Sequence, residues 1–262
     1  MGAEAVHDGA EAGRSGITAE LAEQDDPTAG LELIRVRHED GRTEELRLHD
    51  YERLYALPGV YEQIVHERLR CRSPQVFATM LGEAVDRVGW DRGDTRVIDV
   101  AAGNGMSGEA LVAERLRPVL GTDIVPEARA AALRDRPDVY GEYWILDLLE
   151  LSVEQRDAMI QLRANALNCV APVGDGPRQL SAKALVAATE LLAPDALIAY
   201  LHDPVHGVPD PVTRELWTAE LGASVSADEL ERRHYVHRLT VNGSPYEVDA
   251  VVWRVRRGAT MP

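Results

Sequence analysis

Arg96-Val97-Ile98-Asp99-Val100-Ala101-Ala102-Gly103-Asn104-Gly105-Met106-Ser107-Gly108, followed by Gly121-Thr122-Asp123-Ile124, is the stretch that decides the fold. The first run reads as an apolar strand, a glycine-rich turn and the start of a helix. The second reads as a strand ending in a carboxylate. Together they form a nucleotide-binding βαβ unit. In such a turn the glycines let the backbone approach a ligand closely, and the next helix presents free N–H groups. Gly103-Asn104-Gly105-Met106-Ser107-Gly108 matches G-x-G-x-x-G letter for letter. Alone this is weak evidence, because plain tight turns also use glycine. Asp123, twenty residues beyond Gly103, adds to it: a carboxylate there accepts hydrogen bonds from ribose hydroxyls. The residue that discriminates between nucleotides is Asp99. A buried carboxylate is costly unless paired. A ligand with a cationic head gives a reason to keep one in the first strand, whereas an anionic pyrophosphate would be repelled.

Outward from this unit, strands are expected at 95–101, 118–123, 142–147, 165–172 and 195–202. Helices are expected at 106–116, 126–134, 152–161, 179–192 and 211–221. Such alternation implies a parallel sheet with right-handed crossovers. Residues 232–241 and 246–256 are strand-like and flank Asn242-Gly243-Ser244-Pro245, so they pair antiparallel. The predicted fold is α/β: a three-layer αβα Rossmann-like sandwich around a seven-stranded, mostly parallel sheet with an antiparallel C-terminal hairpin. Upstream, Asp40-Gly41 between two alternating runs signals a hairpin over 31–49. A helical stretch follows from Asp50 to about Arg70, interrupted near Pro58-Gly59. Another helix runs from Ser73 to Val88, with Pro74 in its first turn. The domain reading is a disordered acidic tail over 1–29, a hairpin and helical cap over 30–90, and the nucleotide-binding domain over 91–262.

The chain has 262 residues, 45% of them hydrophobic, and a formal net charge of −16. That length carries a sizeable core. That charge repels phosphate backbones, so nucleic acid is disfavoured as a partner. No apolar run is long enough for a transmembrane helix, no signal region is evident, and the expected compartment is the cytoplasm. Only Cys71 and Cys169 are present, so no disulfide framework is expected. Lys183 is the only lysine, an arginine bias that suggests a GC-rich bacterial genome.

Asp99-Val100-Ala101-Ala102-Gly103-Asn104-Gly105 resembles the first motif of the class I S-adenosylmethionine-dependent methyltransferases, an acid followed after three residues by Gly-x-Gly. Asp123 matches their second-strand acid. Asp147, in Trp144-Ile145-Leu146-Asp147-Leu148, matches the third-strand acid. Ala166-Leu167-Asn168-Cys169 looks like the fourth strand. Leu191-Leu192-Ala193-Pro194-Asp195-Ala196 looks like the turn into the fifth, with both usual glycines replaced. The terminal hairpin matches the reversed seventh strand. The resemblance covers roughly 75–257 and looks closest to small-molecule, Williams–Beuren-region-27-like members. It implies S-adenosylmethionine as cofactor, held by Asp99, Ala101, Gly103, Asn104, Gly105, Asp123, Ile124, Asp147, Leu148 and Asn168. It also implies a lid before the first motif, for which Tyr55 and Tyr61 are the candidates; packing of aromatic residues against the sheet explains them equally well.

Methyl transfer to oxygen or nitrogen often uses a base. His202 and His206 follow the fifth strand, where open α/β sheets bind ligands. Either suits a base near neutral pH, although loop histidines are the plainer reading. Pro204 between them argues against a zinc site, and no metal is expected. Asn168-Cys169-Val170-Ala171 lacks the Asn/Asp-Pro-Pro-aromatic motif of enzymes that methylate planar nitrogens. A small organic molecule is the expected substrate, and a homodimer stays open. Two other functions compete: an NAD(P)-dependent oxidoreductase, which lacks a Tyr-x-x-x-Lys pair here, and a non-methylating enzyme or binding protein on the same fold.

Overall fold

The computed structural model describes residues 16–22, 32–174, 179–204 and 208–258. The central sheet contains β4 (Arg96–Val100), β5 (Arg117–Asp123), β6 (Glu142–Ile145), β7 (Ala166–Val173), β8 (Asp195–His202), β9 (Val225–Leu239) and β10 (Pro245–Arg257). Its order is β6-β5-β4-β7-β8-β10-β9. The first five strands in that order run parallel. β10 reverses against β8, and β9 reverses against β10. The fold is therefore an α/β Rossmann-like sheet closed by an antiparallel hairpin.

Helices cover both faces. One face holds α2 (Ser73–Arg87), α3 (Met106–Ala113) and α4 (Pro126–Asp135); the other holds α5 (Val153–Gln161), α6 (Ala182–Ala188) and α7 (Arg214–Leu221). Strand alternation divides the apolar residues between them. Val97, Leu197 and Val252 pack with Phe77 and Leu81 of α2 and Leu111 of α3. Ile98, Ile198 and Trp253 pack with Met159 of α5, Leu185 of α6 and Trp217 of α7. Asp99 shares the face of Val97 and so points under α3, where its acceptors are met.

A smaller sheet, β1 (Thr18–Leu21), β2 (Leu33–Arg37) and β3 (Thr43–Arg47), precedes this domain in the order β1-β2-β3. The β2–β3 hairpin turns at Asp40-Gly41, with Gly41 at φ 83°, as an Asp-Gly pair predicts. Next come α1 (Tyr51–Ala56) and a π-helical turn, Glu62–Arg68. Ile34, Val36, Leu46, Leu54, Ile64 and Leu69 give this module its own core. The chain leaves it along the edge of β9: Arg72 N–H donates to His237 O and Leu239 N–H to Leu69 O.

Several elements differ from the sequence expectation. The supposed tail contains β1, which pairs antiparallel with β2; residues 1–15 and 23–29 lie outside the described residues. Four residues give too short an alternation to stand out, and the strand exists because β2 offers an edge. α2 packs on the main sheet rather than in the cap, because Phe77, Met80, Leu81, Ala84 and Val85 are buried there. β9 begins at Val225, seven residues before the expected start. Its solvent-facing charges hide the alternation, and pairing with β10 extends it. The 179–192 helix is shorter, with α6 followed by a 3₁₀ turn at Thr189–Leu191.

One buried ion pair joins the two modules. Glu32 and Arg238 lie 2.7 Å apart, with side chains 0% and 6% exposed. Removing one member of such a pair strands the other charge in a dry interior. Arg238→Ala is expected to cost about 3–5 kcal/mol in urea unfolding. An added Glu32→Gln change should recover part of that loss; a double variant no more stable than the single would contradict the pairing.

Candidate functional site

The sheet order changes direction between β4 and β7, so a crevice opens at the C-terminal ends of these strands, where α/β sheets hold ligands. Asp99 and Asn168 are direct neighbours across that junction. Asp99 is fully buried. Its Oδ1 accepts from Asn168 Nδ2 at 2.8 Å and from Ser107 Oγ at 3.3 Å, and its Oδ2 accepts from Tyr140 O–H at 2.6 Å. Asn168 Nδ2 also donates to Ser107 Oγ at 2.8 Å. Burial pushes the Asp99 carboxyl up to about 6, against the pull of these three donors. Three neutral donors thus meet the carboxylate from inside the protein. Asn168 Oδ1 has no partner among the described residues although it is buried.

The turn is held just as closely. Ala101 takes φ 54° and is exposed at its rim; a left-handed conformation costs a residue with a Cβ roughly 1 kcal/mol. Gly103 and Gly105 also have positive φ, 56° and 88°. Gly103 N–H donates to Asp123 Oδ2 at 2.9 Å, and Gly103 O accepts from Tyr143 O–H at 2.7 Å. Asp123 Oδ1 accepts from Val125 N–H at 3.0 Å. Burial raises the Asp123 carboxyl, while these backbone donors hold it down. Asn104, 3% exposed, donates from Nδ2 to Glu62 Oε1 at 2.7 Å. Arg136 Nη1 reaches both Glu62 Oε1 at 3.0 Å and Asn104 O at 3.1 Å.

Tyr55 lies over Gly103: a Cβ there would stand 2.6 Å from its hydroxyl oxygen. Tyr55 stacks on Tyr51 at 5.7 Å and contacts Tyr61 at 5.1 Å between ring centroids. Burial keeps both Tyr55 and Tyr61 protonated well above the usual phenol range, so they are neutral walls and not bases. The outer rim is apolar and open. Ile124, at the end of β5, is 70% exposed, and Leu149, after β6, is 63% exposed. Asp147 is exposed beyond the end of β6, and its Oδ1 accepts from Leu149 N–H; Leu148 is half-buried. A separate cleft of about 340 Å³ lies between α4 and β6, lined by Arg129, Leu133, Tyr140 and Tyr143.

The structure therefore gathers Asp99, Gly103, Asn104, Gly105, Asp123 and Asn168 around one turn; Ala101 is in that turn, Ile124 follows β5, and Asp147 and Leu148 follow β6, two strands from β4. His202 is the last residue of β8 and is 4% exposed. His206 lies outside the described residues. Cys169 is buried, and burial pushes its thiol up to about 12; it is core. Among the described residues no group of His, Cys, Asp or Glu is placed to hold a metal ion. No described helix is long and apolar enough to cross a membrane.

Sequence reasoning passed over Tyr140, Tyr143, Glu62 and Arg136, all of which touch the turn. It also passed over a buried cluster where the cap meets the hairpin: Ser73 Oγ lies 2.5 Å from His237 Nδ1 and 2.6 Å from Tyr235 Oη. Burial and the adjoining Arg238 keep His237 neutral down to about pH 3. None of these residues belongs to a local pattern, so no sequence signal marked them.

The fold of this chain is similar to those of several methyltransferases of known structure. Similar folds occur in an S-adenosylmethionine-dependent methyltransferase from Anabaena variabilis (15% identity, 81% of this chain and 96% of that one, TM-score 0.49). They occur in a protein from Pyrococcus horikoshii proposed to be an RNA methyltransferase (16%, 71% and 87%, 0.48). The magnesium protoporphyrin IX methyltransferase of Synechocystis, solved with S-adenosylmethionine bound, is a third (12%, 70% and 80%, 0.46). No family model and no curated protein sequence matches the chain.

The Asp99 carboxyl has a pH consequence. Its folded value, near 6, lies above the 3.8 of an ordinary aspartate. The neutral form favours the fold, so stability contributed below about pH 4 is lost as pH rises through about 6. The loss is about 3 kcal/mol. Asp99→Asn has no such charge to bury. In thermal unfolding its stability relative to the natural protein should climb between pH 4 and 7 and then level off. A difference constant with pH would mean that folding leaves the Asp99 titration where it is in the unfolded chain.

Proposed function

We propose that the protein is an S-adenosylmethionine-dependent methyltransferase acting on a small organic molecule. One observation carries this reading: the start of α3 is closed to phosphate. In a dinucleotide site the pyrophosphate rests on the N-terminal N–H groups of this helix. Here Tyr140 Oη accepts from Gly108 N–H at 3.1 Å, and the buried Asp99 carboxylate lies directly beyond that hydroxyl. A pyrophosphate would lose a donor and meet a like charge. A ligand whose head carries an ammonium and a sulfonium would meet neither penalty. This favours the sulfonium cofactor over NAD(P).

The residues fit such a ligand. Asp123 and Asp147 stand at the ends of neighbouring strands with acceptor capacity for ribose hydroxyls and a purine amine. Ile124 and Leu148 offer apolar surface for a flat base. Asn168 Oδ1 retains a free lone pair in the buried junction. When bound, the cofactor would supply a methyl group activated by positive sulfur, open to attack by the acceptor's lone pair with the sulfur as leaving group. The protein's part is to align the acceptor, which alone supplies several powers of ten in rate, and to take its proton. Tyr55 and Tyr61 wall the approach to the turn. His202, at the end of β8, is the candidate base. Charge favours a small acceptor over RNA, because −16 overall opposes a phosphate backbone. The two free cysteines suit a reducing compartment.

Calorimetry with S-adenosylhomocysteine should give a micromolar dissociation constant, and NADH should give no heat; the reverse result would replace this reading by an oxidoreductase. Once an acceptor is in hand, His202→Ala should lower turnover on the order of 10²–10⁴-fold. Near-normal turnover would remove His202 as the base.

A further inference from the structure

Tyr140 does more than fill space beside the turn. It precedes β6, is half-buried, and joins two groups that the sequence leaves without partners. The first is Gly108 N–H, the third N–H of α3. In most helices the capping residue's side chain accepts from this group. The cap of α3 is Gly105, which makes no side-chain cap bond. Tyr140 Oη, 32 residues further along the chain, accepts in its place at 3.1 Å. The second is Asp99 Oδ2, which accepts the tyrosine's own O–H at 2.6 Å. The phenol is thus acceptor toward the helix and donor toward the carboxylate. Burial and the nearby Asp99 hold it protonated well above the ordinary phenol range, so it stays a donor at any working pH.

The surrounding glycines are shaped to this ring. A Cβ on Gly108 would run into Tyr140 Cζ and Oη, and one on Gly105 would stand 3.3 Å from its Cε2. Gly108 is therefore small because Tyr140 and Val139 lie against it, while Gly105 is also favoured by its φ of 88°. Ser107, from the first turn of α3, and Asn168 complete the carboxylate's shell, but only Tyr140 meets both the Gly108 N–H and Asp99.

We infer that Tyr140 is a positioning residue for the cofactor: by linking Gly108 N–H to the Asp99 carboxylate it fixes the glycine turn and keeps the α3 N-terminus closed to phosphate-bearing nucleotides. This role rests on the methyltransferase reading for the identity of the cofactor, but the link itself does not.

Tyr140→Phe keeps the ring and removes both bonds. Three measurements on this variant and the natural protein test the inference. Affinity for S-adenosylhomocysteine by calorimetry should fall about tenfold in Tyr140→Phe, the worth of roughly one buried hydrogen bond. The Asp99 carboxyl, followed by carbon NMR, loses a donor to its charged form, so its titration should move to higher pH. Gly108 N–H exchange with solvent should be slow in the natural protein and faster in the variant. An unmoved Asp99 titration, or a Gly108 amide that already exchanges freely in the natural protein, would overturn the link. The second of these readouts needs no variant and so survives a failure of Tyr140→Phe to fold. Unchanged affinity in a variant whose Asp99 titration has moved would overturn the positioning role alone. If the natural protein itself shows no binding of S-adenosylhomocysteine, the methyltransferase reading falls, and the role in cofactor positioning falls with it.

Discussion

A carboxylate with no solvent contact must be met from within, and Asp99 is met by donors from three separate places. Asn168 comes from the neighbouring strand, Ser107 from the first turn of α3, and Tyr140 from the segment entering β6. The cost of taking that charge out of water is large, and hydrogen bonds from neutral groups offset only part of it, which is why burial still raises the carboxyl. What the protein gains is a common anchor. β4, β7, α3 and the lead into β6 all converge on one pair of oxygens, and the glycine turn is suspended between them. The expectation that a cationic ligand accounts for Asp99 is thus only half of the physics, because the interior already meets its oxygens.

The cap module uses the same logic from the opposite side. Glu62, on a π-helical turn, takes hydrogen bonds from both Asn104 and Arg136. π-Helical turns are uncommon and gather at functional sites, and here the wider turn brings one carboxylate to the glycine loop and to α4 at once. Tyr55 lies against Gly103. Farther out, the Glu32–Arg238 pair ties the small sheet to the terminal hairpin. The cap is therefore fixed at two distant points, one at the turn and one at the hairpin, with the tyrosine cluster between them.

Much of the fold was legible in short-range patterns. Asp40-Gly41 announced a hairpin because only residues tolerant of positive φ make so tight a turn. The alternation of apolar runs and helical stretches announced the parallel sheet, and Asn242-Gly243 announced the reversal at its edge. The same patterns failed where pairing was set by a partner far along the chain. β1 is four residues paired to β2, and the first seven residues of β9 are made into a strand by β10. At the candidate site the acids and glycines stood out because their types and spacing are local. Tyr140 and Arg136 did not, because an isolated tyrosine or arginine in a loop carries no mark of what it will touch.

The amino-acid order by itself determined the βαβ unit, the place of Asp99 in its first strand, the carboxylates at the ends of the next two, and the closing hairpin, since each follows from backbone preferences acting over a few residues. Only the tertiary structure decided that Asp99 is satisfied from inside, that the end of α3 is closed by a tyrosine 32 residues away, and that the cap rests on the glycine turn through Glu62. Those facts depend on which side chains meet once the sheet has assembled, and the energies of burial and hydrogen bonding that select the meetings do not exist until it has.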